Sequence, residues 1–104
     1  MKTVITVSGN TSVAKFDRRF GRASWFCLYD DETKETAFYE NSYADANNGA
    51  GTKAAEKMIE MHVGKVISGD FGPKAKELLG KFNVQMVILH EADLSISAII
   101  SKLQ

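Results

Sequence analysis

A chain of 104 residues and 11.5 kDa is the size of one domain, residues 1–104, able to bury about two-thirds of its unfolded surface in a single modest core. Its composition, 44% hydrophobic and 25% charged with eight Gly and one Pro, excludes a disordered chain, a collagen-like chain and a Pro-rich linker. Thirteen Lys plus Arg against thirteen Asp plus Glu exclude a whole-surface attraction to nucleic acid or an anionic membrane and leave room only for a local basic patch.

The β-branched run Val4-Ile5-Thr6-Val7, ended by the turn cluster Ser8-Gly9-Asn10, predicts a first strand over 2–8. Two aromatic-rich strands over 25–30 and 35–40 follow, joined by the polar connection Asp31-Glu32-Thr33-Lys34, the pattern of a hairpin. The period then changes. Ala54, Ala55, Met58, Ile59 and His62 recur at helical spacing and predict a helix over 51–62. A strand over 63–68 comes next, then a second helical stripe through Ala75, Leu78, Leu79 and Phe82. Residues 84–89 form another strand, apolar on both sides except at Gln85, the pattern of a central parallel strand. Ile96, Ile99, Ile100 and Leu103 make a last helix, with Asp93 as its expected N-cap.

The order β-β-β-α-β-α-β-α, with right-handed parallel crossovers after the hairpin, implies an α/β layered domain. Packing rules favour a mixed five-stranded sheet in the order 3-2-1-4-5, strand 2 antiparallel, flanked by helices. The carboxyl ends of strands 1, 3, 4 and 5 then share one edge, where open α/β sheets bind ligands. Onto it fall the loops 9–24, 41–50, 69–72 and 90–92, the last being His90-Glu91-Ala92. Three helices begin there too, offering N–H groups and partial positive charge. The site is expected on this edge, and its ligand is expected to be anionic.

Phe16-Asp17-Arg18-Arg19-Phe20-Gly21-Arg22-Ala23 is the most unusual segment. Its three arginines suit a fork for oxyanions, because a guanidinium binds bidentately. The plainer reading is a solvated loop pinned by Phe16 and Phe20 while Asp17 pairs an arginine. Asn47-Asn48-Gly49-Ala50-Gly51 brings backbone N–H groups close to a ligand but lacks the nucleotide P-loop and dinucleotide patterns. In Gly69-Asp70-Phe71-Gly72-Pro73-Lys74-Ala75, Gly72 and Pro73 read as a helix start; Asp70 has no second carboxylate or His fixed beside it. Cys27, between Phe26 and Leu28, reads as a small buried hydrophobe, and the single thiol excludes a disulfide or a multi-thiolate site within one chain. His62 reads as a favourable cation at a helix C-terminus. His90, at the end of the last strand, is the histidine on the functional edge, although one His and one Glu make no recognisable metal spacing. The N-terminus runs straight into a strand rather than a signal peptide, and no apolar run approaches the ~18 residues that span a bilayer. The expected location is the cytoplasm.

Taken in register, Phe16 to Ala23, Asn48-Gly49-Ala50-Gly51 with its Ala-rich helix, and Gly69 to Ala75 resemble the dinitrogenase iron–molybdenum cofactor biosynthesis family, which includes NifX and the C-terminal part of NifB. The resemblance runs from Lys2 to Leu103. It implies a three-layer, ribonuclease H-like fold and a non-enzymatic role: binding or carrying an iron–sulfur or molybdenum–iron–sulfur cluster, non-covalently held, in the service of a cofactor-assembly partner. Such clusters are polyanionic, consistent with an edge of arginines and helix N-termini. Arg19 stands where family members often carry a His, and Asn47 and Asn48 stand where many carry another. Both departures remove metal ligands and spare electrostatic capture. The expected cluster- or anion-binding residues are Arg18, Arg19, Arg22, Asn48, Gly49, Gly51, Gly72 and His90, with no catalytic residue, no nucleic acid and no membrane partner. The alternative is an interaction or regulatory module of the same fold that has lost cluster binding. A two-metal nuclease of this layout is excluded, since Asp70 and Glu91 are no convergent carboxylate set.

Overall fold

The computed structural model describes residues 1–91 and 93–103; Ala92, placed above in the last loop of the functional edge, lies outside the described residues. The elements are β1 (Lys2–Val7), β2 (Trp25–Asp30), β3 (Thr36–Glu40), α1 (Ala50–Glu60), β4 (Lys65–Ser68), α2 (Pro73–Lys81), β5 (Gln85–Ile88) and α3 (Ile96–Leu103). They build one five-stranded sheet in the order β3-β2-β1-β4-β5. β2 runs antiparallel to β1 and β3, while β4 is parallel to β1 and β5. This is the expected mixed sheet, and both crossovers onto it carry a helix, as parallel neighbours require.

Period-two alternation divides the apolar residues between two faces. Val4, Phe26 and Val66 face α1 and α2, where they meet Ala54, Ala55, Met58, Ala75 and Leu79. Ile5, Val7, Cys27 and Ile67 face α3 through Ile96 and Ile99. The three layers follow from this split, two helices on one face and one on the other.

Three expectations need correction. β5 lies at an edge of the sheet, where the expected order puts it, although its residues read as those of a central strand; Gln85 and Ile88 are exposed. Its apolar residues serve both faces, Met86 packing with the core under α1 and α2 and Val87 with the core under α3, because helices cover a strand's faces wherever the strand sits in the order. Asp93 does not cap α3. The Ser95 hydroxyl accepts the Ala98 N–H at 3.3 Å instead, three residues into the helix where an N-cap side chain reaches, and the Asp93 carboxylate lies 3.7 Å from the Lys15 ammonium. α1 also ends earlier than its stripe suggested, at Glu60, and His62 follows it in a left-handed conformation (φ 59°).

Candidate anion site at the carboxyl edge of the sheet

The segment after β1 folds back along the sheet edge. Phe16 and Phe20 are buried, and the Asp17 and Phe20 N–H groups bond to the carbonyls of Thr6 (2.9 Å) and Asp70 (3.1 Å). The Phe20 ring lies 6.2 Å from that of Phe26 and 5.2 Å from that of Phe71, both tilted. Each such aromatic pair adds about 0.5–1.5 kcal/mol beyond area burial. This trio joins the loop, β2 and the β4–α2 connection into one floor.

Above it opens a cleft of about 440 Å³, lined by Arg19, Arg22, the first turns of α1 and α2, and Asp70. Both helices start on glycine, Gly49 and Gly72, and neither has a side-chain cap or an acidic residue in its first turn. The first-turn N–H groups, from Ala50 in α1 and from Lys74 in α2 because Pro73 has none, lack intrahelical partners, and the two helix ends meet at one cleft, where the Asp70 carboxylate accepts the Gly72 N–H at 3.2 Å. Gly72, at φ 74° and ψ 158°, holds a conformation open essentially to glycine alone, and Pro73 sets the first helical φ. α3 differs from the expectation that all three helices offer free N–H groups. Carbonyls of Ala14 and Ser12 take the Ile96 and Ser97 N–H groups at 2.9 and 3.2 Å, so its start is closed by the loop after β1.

The three arginines do three separate things. The Arg19 guanidinium lies on Asp17, Nε to Oδ1 at 3.1 Å and Nη2 to Oδ2 at 2.9 Å. Arg22 donates from Nη1 to the carbonyls of Ala44 (3.0 Å) and Ala46 and so fastens the segment before α1. Arg18 packs against Gly69, whose N–H bonds to the Arg18 carbonyl at 3.1 Å. The plainer reading of this segment holds, since the phenylalanines pin it and Asp17 pairs an arginine; Arg19 and Arg22 line the cleft and Arg18 does not.

Of the expected site residues, Arg19, Arg22, Gly49, Gly51 and Gly72 come together in the cleft. Arg18 and His90 do not line it; they lie in an adjoining cavity of about 250 Å³ that shares Arg19 and Asp70 with it. Asn48 is exposed beside the start of α1 and lines neither. The sequence reading missed Thr52 and Lys74, which follow from the helix starts they occupy; it expected Asp17 to pair an arginine, and that arginine is Arg19. The Asp17 spacing does carry a signal: its carboxylate accepts the N–H two residues on at 3.0 Å, the common Asx turn.

The donors in the cleft are guanidinium, ammonium and backbone N–H groups. Among the described residues no three His, Cys, Asp or Glu side chains gather where they could hold a metal ion. Cys27 is fully buried on the α3 face, and burial pushes its thiol up to about 12. An anion can be held here by charge and hydrogen bonds.

The solved structures agree with this layout. The apo form of the orange protein from Desulfovibrio gigas is similar, with a TM-score of 0.88 and 25% identity over 98% of this chain and 85% of that one. So is a protein from Thermotoga whose structure is described as that of a putative NifB protein, with a TM-score of 0.82 and 25% identity over 98% and 85% of the two chains. No curated protein is significantly similar in sequence. The sequence model of the family described as dinitrogenase iron-molybdenum cofactor matches residues 1–104, and the chain belongs to that family.

Proposed function

We propose that this protein binds a polyanionic metal–sulfur cluster (iron–sulfur, molybdenum–iron–sulfur or a related thiometalate) without transforming it, and carries it within metal-cofactor assembly in the cytoplasm, where a partner protein of that assembly receives it. The observation that carries this reading is the meeting of two glycine-started, uncapped helix N-termini with Arg19 and Arg22 around one cleft. Such ends bind anions through N–H groups and dipole together. Family membership supplies the class of anion, and the donor set favours capture by hydrogen bonds over direct coordination. Arg19, Arg22, Gly49, Gly51 and Gly72 form the primary contact surface. Arg18 and His90 extend it into the adjoining cavity, and Asn48 flanks the approach to α1.

The test is anaerobic titration with tetrathiomolybdate, followed by visible absorption, at low and high salt. Binding weakens as salt rises, since an open site is screened over about 8 Å at physiological ionic strength. Arg19→Ala costs about 1–3 kcal/mol of affinity, the range for a charge-assisted hydrogen bond. Arg19→His makes binding less salt-sensitive and alters the spectrum through a coordinating nitrogen. Tight, salt-independent binding untouched by Arg19→Ala would move the site to the cavity of Arg18 and His90. Absence of binding to any such anion would leave the interaction-module alternative.

A further inference from the structure

The Asp17–Arg19 pair at the cleft is unevenly placed. The Asp17 side chain is 10% exposed, whereas the Arg19 side chain it meets is 65% exposed. Burying most of a carboxylate to hold a largely solvated arginine gives little stability, because exposed pairs contribute little. The geometry around Asp17 is nonetheless well built. Its carboxylate accepts the Arg19 backbone N–H, Nε–H and Nη2–H at 3.0, 3.1 and 2.9 Å. Its main chain is gripped from both sides by Thr6, whose carbonyl accepts the Asp17 N–H at 2.9 Å and whose hydroxyl donates to the Asp17 carbonyl. The single Thr6 proton being committed there, the Ser68 hydroxyl donates to Thr6 Oγ1 at 2.8 Å. Thr6 and Ser68 are both fully buried. A polar chain thus runs from the carboxyl ends of β1 and β4 through Asp17 to the guanidinium at the cleft.

The geometry points to Asp17 as a positioning residue that presents Arg19 to an anion in the cleft, an inference that rests on the anion-binding reading above. Asp17 takes the Nε edge and one Nη2 proton of the guanidinium. A guanidinium has five N–H donors in a rigid plane, so the three that remain lie on the edges turned away from Asp17. Arg19 already holds one orientation before any ligand arrives, and the ordering that binding would otherwise impose on a long side chain is removed. Asp17 also cancels the net charge of Arg19. The pair therefore acts through directed hydrogen bonds, while the helix ends supply the remaining attraction.

This makes a prediction of sign. Asp17→Asn raises the net charge of the site by one, so long-range attraction alone would tighten the binding of tetrathiomolybdate. Positioning requires the opposite: about tenfold weaker binding, the loss of roughly one charge-assisted hydrogen bond, with a steeper dependence on salt. Arg19→Lys, at an exposed position that leaves the fold intact, keeps the charge, loses the planar fork and also binds about tenfold more weakly. In the unliganded protein the Arg19 Nε–H gives a sharp ¹⁵N resonance with a backbone-like heteronuclear NOE, and Asp17→Asn collapses that NOE. Wild type that binds while Asp17→Asn or Arg19→Lys binds equally or more tightly overturns the positioning role alone. Wild type that binds no probe overturns the anion-binding reading and this role with it.

Discussion

Gly21→Ala tests whether backbone contact sets the wall of the cleft. A Cβ at Gly21 would lie 2.7 Å from Gly51 N, 2.8 Å from Gly51 Cα and 3.0 Å from the Ala50 carbonyl carbon, against an optimal contact of about 3.5–4.0 Å. The loop and the first turn of α1 would have to part by about 0.7–1 Å, and neither can yield as a side chain would. Asn41, itself buried, ties the loop down through its amide, which donates to the Gly21 and Ala23 carbonyls at 3.0 and 2.8 Å. Gly21 has no positive φ, so the cost is steric only. Overpacking of this kind costs about 1–3 kcal/mol, and at about 4–8 °C per kcal/mol for a domain of this size a 2 kcal/mol loss lowers Tm by about 10 °C. Thermal and urea unfolding followed by far-ultraviolet circular dichroism measure this, with the urea slope unchanged. Gly80→Ala is the control: beyond its own stretch of helix no atom lies within 4 Å of its added Cβ, and inside α2 the change should gain about 0.5–1 kcal/mol. A Gly21→Ala protein within about 0.5 kcal/mol of wild type, as for an ordinary surface change, would refute the contact. Equal destabilisation by Gly80→Ala would refute crowding as its cause.

The Cys27 thiol, pushed up to about 12 by burial, should label at pH 8 only as fast as the protein opens, and Cys27→Ala should leave anion binding intact; burst labelling of the native state would contradict this. Burial raises the Asp17 pKa, but its three hydrogen bonds from Arg19, with the charge beside it, lower it further and hold it below the ordinary carboxylate value. The pair's contribution to stability is therefore fully present above about pH 4, the unfolded carboxylate range, and is lost as pH falls through the depressed native value. Urea midpoints of wild type and Asp17→Asn should converge below that pH, and a constant gap down to pH 2 would contradict the pairing. Arg22→Ala removes the two hydrogen bonds to Ala44 and Ala46; amide exchange should quicken across residues 42–48 while the global midpoint changes little, and uniform quickening would show a wider role.

The strands, the helices and their order in the sheet were legible in the sequence because hydrophobic period is a local property. Val4-Ile5-Thr6-Val7 suits a strand covered on both faces, the stripe Ala54, Ala55, Met58 buries one face of a helix, and short right-handed crossovers leave few ways to arrange them. Gly72-Pro73 announced a helix start for the same local reason. The pairing of Asp17 with an arginine was legible too, because it closes within one turn; what Arg18 and Arg22 do was not, since their partners lie elsewhere in the chain, Gly69 after β4 and Ala44 and Ala46 before α1. The closing of the α3 N-terminus by Ser12 and Ala14 and the Thr6–Ser68 hydroxyl pair, 62 positions apart, likewise exist only once β1 lies beside β4 and the first loop has folded over the sheet edge. Pairings between distant positions leave no periodic trace, because each is set by the docking of whole elements and not by the propensity of any one.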